Sequence, residues 1–171
     1  NINLKLKETE NQLIYYAKKI SILRKNKALE LEKEVKYILN QMYLQQVQFK
    51  FDFQINDFND NGIDNVKIVV STNSGQPLQP LQKIASGGEL SRIMLAIKAV
   101  SQNSKDGGTI IFDEADTGVS GKVAESIGYV MKKISKKQQV ICITHLAQVA
   151  CFANNHLFIE KEQMDNTSKV H

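Results

Sequence analysis

The first glycine of the chain is Gly62 and the first proline is Pro77. A stretch that long without either strong breaker can hardly be anything but long regular elements. Up to about Gln46 it is mostly Leu, Lys, Glu, Ile and Gln, which predicts a long helix or a pair of helices. The apolar spacing is seam-like: Leu13, Tyr16, Ile20 and Leu23 follow one another at three- and four-residue steps, as do Ala28, Leu31, Val35, Ile38 and Met42. The jump from Leu23 to Ala28 predicts a register break across Arg24–Lys27. On that reading a coiled coil ends near Leu23 and a helix packed on a globular body follows. The alternative is one amphipathic helix lying on a core.

Charge follows the same division. Residues 1–44 hold nine Lys/Arg and five Asp/Glu, so the whole net charge of +4 sits in the first quarter of the 171 residues. Such a surplus could attract a polyanion such as DNA, with Arg24, Lys25 and Lys27 at the register break as the candidate contacts. A solvated helix face explains it as well. With 42% apolar and 23% charged residues, a wholly disordered chain is excluded and one domain with a real core is expected. Apolar runs are as short as Val140–Ile143, which predicts neither a transmembrane helix nor a signal-peptide core. Cys142 and Cys151 are too few for a disulfide framework, have no partner at metal-ligand spacing, and read as thiols in a reducing compartment. The chain opens on Asn1, as expected of a fragment or a processed product.

From Phe49 the period changes to two. Phe49, Phe51, Phe53 and Ile55 alternate with polar residues and predict a half-buried strand. Asn59–Gly62 is a turn cluster, Val66–Ser71 a second, antiparallel strand, and the segment from Asn73 through Pro77 and Pro80 a loop. Beyond Ser86 the pattern is α/β: helix 89–101, strand 109–113, helix 122–134, strand 140–144, helix 146–153 and strand 157–160. That alternation predicts parallel pairing with right-handed crossovers.

Three short motifs lie on this frame. Thr109–Phe112 is an apolar run ending in Asp113 and Glu114, which suits a Mg²⁺-holding acid followed by a base for water; a solvated strand end is the plain counterpart. Ser86-Gly87-Gly88-Glu89 opens a helix, where free N–H groups and the positive helix end favour an anion; the counterpart is a Gly turn with a Ser cap and an acid in the first turn. Thr144-His145 ends another apolar strand, at the carboxyl edge where parallel sheets bind ligands, and His145 could sense a phosphate or be an ordinary polar residue. His156 and His171 carry no such signal.

In this order the motifs resemble the ATP-binding cassette ATPases, and more narrowly the SMC-like group, in which a coiled coil is attached to the ATPase head. The residues carrying the resemblance are Ser71-Thr72-Asn73 with Gly75 and Pro77-Leu78, Ala85–Ala96, Ile111–Gly121 and Ile143–Leu146. The stretch Thr117-Gly118-Val119-Ser120-Gly121 favours the DNA-repair branch over the chromosome-organising SMC proteins, which remain the alternative. A membrane transporter ATPase fits less well. A non-enzymatic coiled-coil dimerisation module with a vestigial nucleotide site is the reading from another class, against which the intact Asp113-Glu114 pair speaks.

The resemblance implies a fold, the C-terminal lobe of an ABC/SMC-like P-loop ATPase head. Residues 1–46 would be the end of the coiled-coil arm and a head-packing helix, and residues 47–171 the lobe itself, with a β-hairpin and a parallel sheet core. It also implies roles. Ser86, Gly87, Gly88 and Glu89 would be the signature motif that contacts ATP held by the opposite head, and Asp113 the Walker B acid that holds Mg²⁺ through water. Glu114 would be the general base, Asp116, Thr117, Gly118, Val119, Ser120 and Gly121 the D-loop, and His145 the switch histidine. ATP and Mg²⁺ would be the cofactors. Implied partners are DNA (double-stranded, its ends or its single-stranded tails), an N-terminal head lobe carrying Walker A, and a second copy paired through the heads. A membrane is not among them, and the implied location is the bacterial cytoplasm, with the nucleoid. The Walker A pattern GxxxxGK[ST] occurs nowhere in the 171 residues, so the chain alone is expected to be inactive. The C-terminus, Thr167–His171, also comes earlier than the resemblance leads one to expect.

Overall fold

The computed structural model of the chain describes residues 2–84, 86–101, 108–113, 115–164 and 167–170, of which those beyond 160 are described by backbone alone. Its first element is a single helix, α1 (Ile2–Gln41), continuous through Arg24–Lys27. The register break predicted there is a change of face. Ala17 and Ser21 are buried together with Ala28, Val35, Ile38 and Leu39, whereas Leu13, Tyr16, Ile20 and Leu23 are exposed. Through Arg24 and Leu31 the packed stripe keeps unbroken three- and four-residue steps. Its upper part is built from small and polar residues, while Leu13, Tyr16, Ile20 and Leu23 stand on a separate, uncovered face and Ala28, Val35, Ile38 and Met42 of the second predicted stripe are buried.

What α1 packs against is the hairpin β1 (Gln48–Asn59) and β2 (Gly62–Ser71), which are antiparallel with Phe49 opposite Val70. Asn59 Oδ1 accepts from the Asn61 N–H at 2.8 Å, and Gly62 takes φ 102°, a conformation costly for other residues. Only Phe49 of the alternating aromatics is fully buried; Ile55 stands in solvent, because the hairpin outruns the core. Polar groups fasten helix to hairpin. Asp64 accepts from Ser21 Oγ at 2.7 Å and pairs with Arg24 Nη1 at 3.2 Å, its side chain 1% exposed. The N–H of Phe51 on the edge strand donates to Glu32 Oε1 at 2.8 Å, which satisfies a group that would otherwise need water. A two-residue strand, β3 (Gln79–Pro80), pairs with β2 where a loop was predicted; as an edge it tolerates proline.

The α/β part begins with α2 (Gly87–Val100) and continues through β4 (Thr109–Asp113), α3 (Gly121–Ser135) and β5 (Gln139–Ile143). β4 and β5 are parallel, with Ile111 opposite Ile141 and Asp113 opposite Ile143. A short helix, α4 (Ala147–Ala150), follows where a longer one was predicted. One core joins the parts: Ile38, Leu39 and Met42 of α1 meet Phe49 and Val70 of the hairpin, Ile93 and Leu95 of α2, and Ile127 and Ile134 of α3. The parallel sheet is covered on one side. Ile110, Phe112, Val140 and Cys142 pack against the core, while Ile111, Ile141 and Ile143 are 62%, 44% and 57% exposed.

The strand predicted at 157–160 is not formed. Leu157, Phe158 and Ile159 are exposed and outside regular structure, and the strands beyond them, β6 (Lys161–Met164) and β7 (Thr167–Val170), form an antiparallel pair of their own. A strand needs a neighbour for its backbone groups, and among the described residues none lies beside 157–160.

Replacing Asp64 by Ala should lower stability by about 1–3 kcal/mol, because Ser21 and Arg24 both lose their partner. Lys27→Ala, which breaks only the exposed pair with Glu30, should leave the urea midpoint where it was. Equal midpoints for both variants would show that the helix–hairpin clamp contributes nothing.

Candidate nucleotide site

Parallel pairing brings the carboxyl ends of β4 and β5 to one rim, and the chemistry-bearing segments gather there. Asp113 ends β4 with an exposed carboxylate. Opposite it Ile143 ends β5, followed by Thr144 and the exposed His145. The start of α2 is drawn to the same rim: Ser91 Oγ donates to the Asp113 carbonyl at 3.4 Å, and Arg92 Nη1 donates to the Thr117 carbonyl at 3.3 Å. Glu114, the expected base, lies outside the described residues.

Ser86 is the N-cap of α2, its Oγ accepting from the Glu89 N–H at 3.4 Å. Capping by Ser86 leaves the N–H groups of Gly87 and Gly88, like others of a first helical turn, without intrahelical acceptors. Gly87 is exposed and Gly88 is buried. The need for glycine at 88 comes from within the chain: a Cβ there would lie 3.0 Å from the Thr117 carbonyl oxygen. Gly118 and Gly121 differ from it. They take φ 72° and 54°, and a Cβ on either would meet nothing within 4 Å, so backbone conformation alone asks for glycine.

Between these glycines the loop divides by side. Thr117, Gly118, Ser120 and Gly121 are exposed, and the Ser120 hydroxyl is not spent on capping α3. Asp116 is 2% exposed and turns inward, where its Oδ2 accepts from Thr144 Oγ1; that oxygen in turn accepts from the Leu146 N–H at 3.0 Å. Burial, with Asp116 and Asp113 adding to it, pushes the Cys142 thiol up to about 11. Ser71, in another of the resemblance-bearing segments, is buried, and its hydroxyl lies within hydrogen-bonding distance of the carbonyls of Asn73 and Gln76; it shapes a loop.

Sequence reasoning gave no role to Arg92, Ser91 or Thr144. The available signal was helical spacing: Arg92 lies one turn after Gly88, on the face that meets the loop. The three cations expected at DNA are each engaged within the chain. Arg24 pairs with Asp64, Lys25 Nζ lies 5.8 Å from the Phe53 ring centroid, and Lys27 pairs with Glu30 at 2.7 Å. For Mg²⁺, no cluster of three or more His, Cys, Asp or Glu exists among the described residues. Asp113 alone fits a Mg²⁺ whose other ligands are phosphate oxygens and water, the usual arrangement of this ion with nucleotides. No helix among the described residues is long and apolar enough to cross a membrane.

Comparison of the fold supplies the class. The chain superposes on the Smc head domain with extended coiled coil from Pyrococcus furiosus, crystallised with the C-terminal domain of ScpA, with a TM-score of 0.58 over 98% of this chain and 42% of that one, at 21% identity. A Smc head with coiled coil and joint from Pyrococcus yayanosii gives 0.59 over 98% and 32%, at 20% identity. The chain therefore has the fold of part of an SMC-type head domain. Its kinship in sequence is narrower. It is 44% identical to the DNA repair protein RecN of Bacillus subtilis over 165 residues, which is 87% of this chain and 29% of that protein. It is 37% identical to RecN of Haemophilus influenzae over 96% of this chain and 30% of that protein. The chain is thus a relative of the RecN proteins, and it spans less than a third of their length. No protein-family model matches it.

With the Cys142 thiol pushed up to about 11, its thiolate fraction at pH 8 is on the order of one in a thousand. A disulfide reagent at pH 8 should modify exposed Cys151 first and Cys142 only slowly, the Cys142 rate rising about tenfold per pH unit while the fold holds. Equal rates in Cys142→Ser and Cys151→Ser variants would contradict the burial of Cys142.

Proposed function

We propose that this chain is one lobe of an SMC-like ATPase head that acts in DNA double-strand break repair and recombination. The observation that carries the reading is the shared rim: residues 86–92, 113, 116–121 and 144–145, far apart in sequence, are tied together there by three hydrogen bonds. In the proposed site Asp113 holds Mg²⁺ through water, Glu114 takes a proton from the attacking water and His145 hydrogen-bonds the γ-phosphate. Ser86–Glu89 and the outward side of Thr117–Gly121 face the nucleotide of a second head. Bound Mg²⁺ supplies charge neutralisation on the phosphates. The phosphate cradle belongs to a separate N-terminal lobe. The bare apolar face of Ile111, Ile141 and Ile143, with the exposed run Leu157–Ile159, supports the docking of such a lobe. The role in repair rests on the likeness to proteins named for it.

Two measurements test this. The chain alone should not turn over ATP, and turnover should appear only with the cradle-bearing lobe. Within the intact head, Glu114→Gln should lower the rate by about 10²- to 10⁴-fold while ATP still binds. Turnover by the chain alone, or an undiminished rate in the Gln variant, would refute the reading.

For DNA, Lys25 and Lys27 are proposed to turn to phosphates, their present partners being a ring face and an exposed carboxylate. Arg24 is proposed as a third contact, though its replacement also disturbs the clamp at Asp64. Lys25→Gln with Lys27→Gln should weaken binding to all sequences alike and flatten the log–log salt slope by up to about 1.8. An unchanged slope would remove these lysines from the DNA-binding surface.

A further inference from the structure

Two contacts grip the start of the loop 116–121, and neither belongs to the roles described so far. Arg92 is 8% exposed, and its Nη1 donates to the Thr117 carbonyl at 3.3 Å while its Nε is buried without a partner among the described residues. Burial lowers its pKa, with Glu89 opposing, yet a guanidinium keeps its charge at any physiological pH. A buried, incompletely paired cation on the core face of a helix is costly, and packing alone would favour an apolar residue. One residue earlier in the loop, Asp116 is held by Thr144, whose hydroxyl donates to the carboxylate and accepts from the Leu146 N–H. With both bonds made, that hydroxyl has one orientation, and it spans the turn that carries His145. Adjacent loop residues are therefore bolted to different elements, Thr117 to the signature helix and Asp116 to the His145 turn. Gly88 completes the fit, since a Cβ there would press on the same Thr117 carbonyl.

We infer that Arg92 and Thr144 are positioning residues of the ATPase, which through Thr117 and Asp116 hold the signature helix and the His145 turn at one fixed spacing. The inference rests on the ATPase reading above. A head whose signature meets the partner's nucleotide would then have its own His145 placed by the same loop. Loosening either bolt should leave the first encounter with ATP intact and spoil the geometry of the reacting state.

The test uses the intact ATPase. Thr144→Val and Arg92→Met should each lower kcat by about 10- to 100-fold, the usual result of a displacement of about an ångström at a reacting centre, with the KM for ATP changed by less than about threefold. Thr144→Ser keeps the donor and the acceptor and should restore kcat to within about threefold of the parent. The double variant should lose less than the product of the two single losses, because both act through one loop. Thermal melts identify any variant that is simply unfolded. If Thr144→Val does not fold, Thr144→Ala makes the same comparison with Thr144→Ser. A folded Thr144→Val or Thr144→Ala protein with parental kcat, or a serine variant as impaired as the valine one, would overturn the inference. Glu114→Gln serves as the control: if it abolishes turnover and the Thr144 variants do not affect it, only the positioning role falls. If Glu114→Gln itself keeps full turnover, the ATPase reading falls, and the positioning role with it.

Discussion

The parallel pairing of β4 with β5 is the constraint on which the rest of the structure depends. Parallel neighbours cannot be joined by a tight turn, so the chain must cross back through α3, and the crossover sets both carboxyl ends on the same rim. Asp113 and His145 share that rim because of the pairing, although they are distant in sequence. The same pairing leaves one face without helices, and the isoleucines on that face stay exposed. Among the described residues the parallel sheet has two strands and a bare apolar side, whereas parallel sheets are ordinarily covered on both faces. That bare side accords with a chain whose fold is that of part of an SMC-type head domain.

Around that rim, glycine serves two physical purposes. At 118 and 121 the backbone takes positive φ, and at 88 a Cβ would crowd a neighbouring carbonyl oxygen at 3.0 Å. Helix α2, the loop 116–121 and the His145 turn consequently form a contiguous assembly within one chain. That assembly is divided by depth: Gly87, Thr117, Ser120 and His145 are exposed, while Arg92 and Asp116 lie buried beneath.

The first helix carries two apolar stripes on different faces. Leu13, Tyr16, Ile20 and Leu23 lie on a face left uncovered, whereas Ala17, Ser21, Ala28, Val35, Ile38 and Leu39 are buried against the body, with small side chains in the upper part where the helix lies on the hairpin. The positive charge of that region was legible in composition. Its engagement was not, since Asp64, Phe53 and Glu30 reach the three cations only after the hairpin and the helix have formed. The end of the helix was equally hidden. Tyr43 takes φ 60°, the left-handed conformation that glycine usually marks, and the Leu44 N–H closes the turn onto the Leu39 carbonyl at 2.9 Å.

By itself the sequence determined the order and type of most elements, because hydrophobic period, breakers and caps act over a few residues and can be read locally. It also marked the candidate phosphate-binding segments that meet at one rim, since those motifs are contiguous. Only the tertiary structure decided which face of the upper half of α1 is buried, that 157–160 has no strand to pair with among the described residues, and that Asp116 points inward to Thr144 while Arg92 lies under Thr117. Those outcomes depend on contacts between residues 25 to 43 positions apart or on the absence of a neighbouring strand among the described residues, and no local pattern encodes the distance between two elements that meet only after the chain has folded.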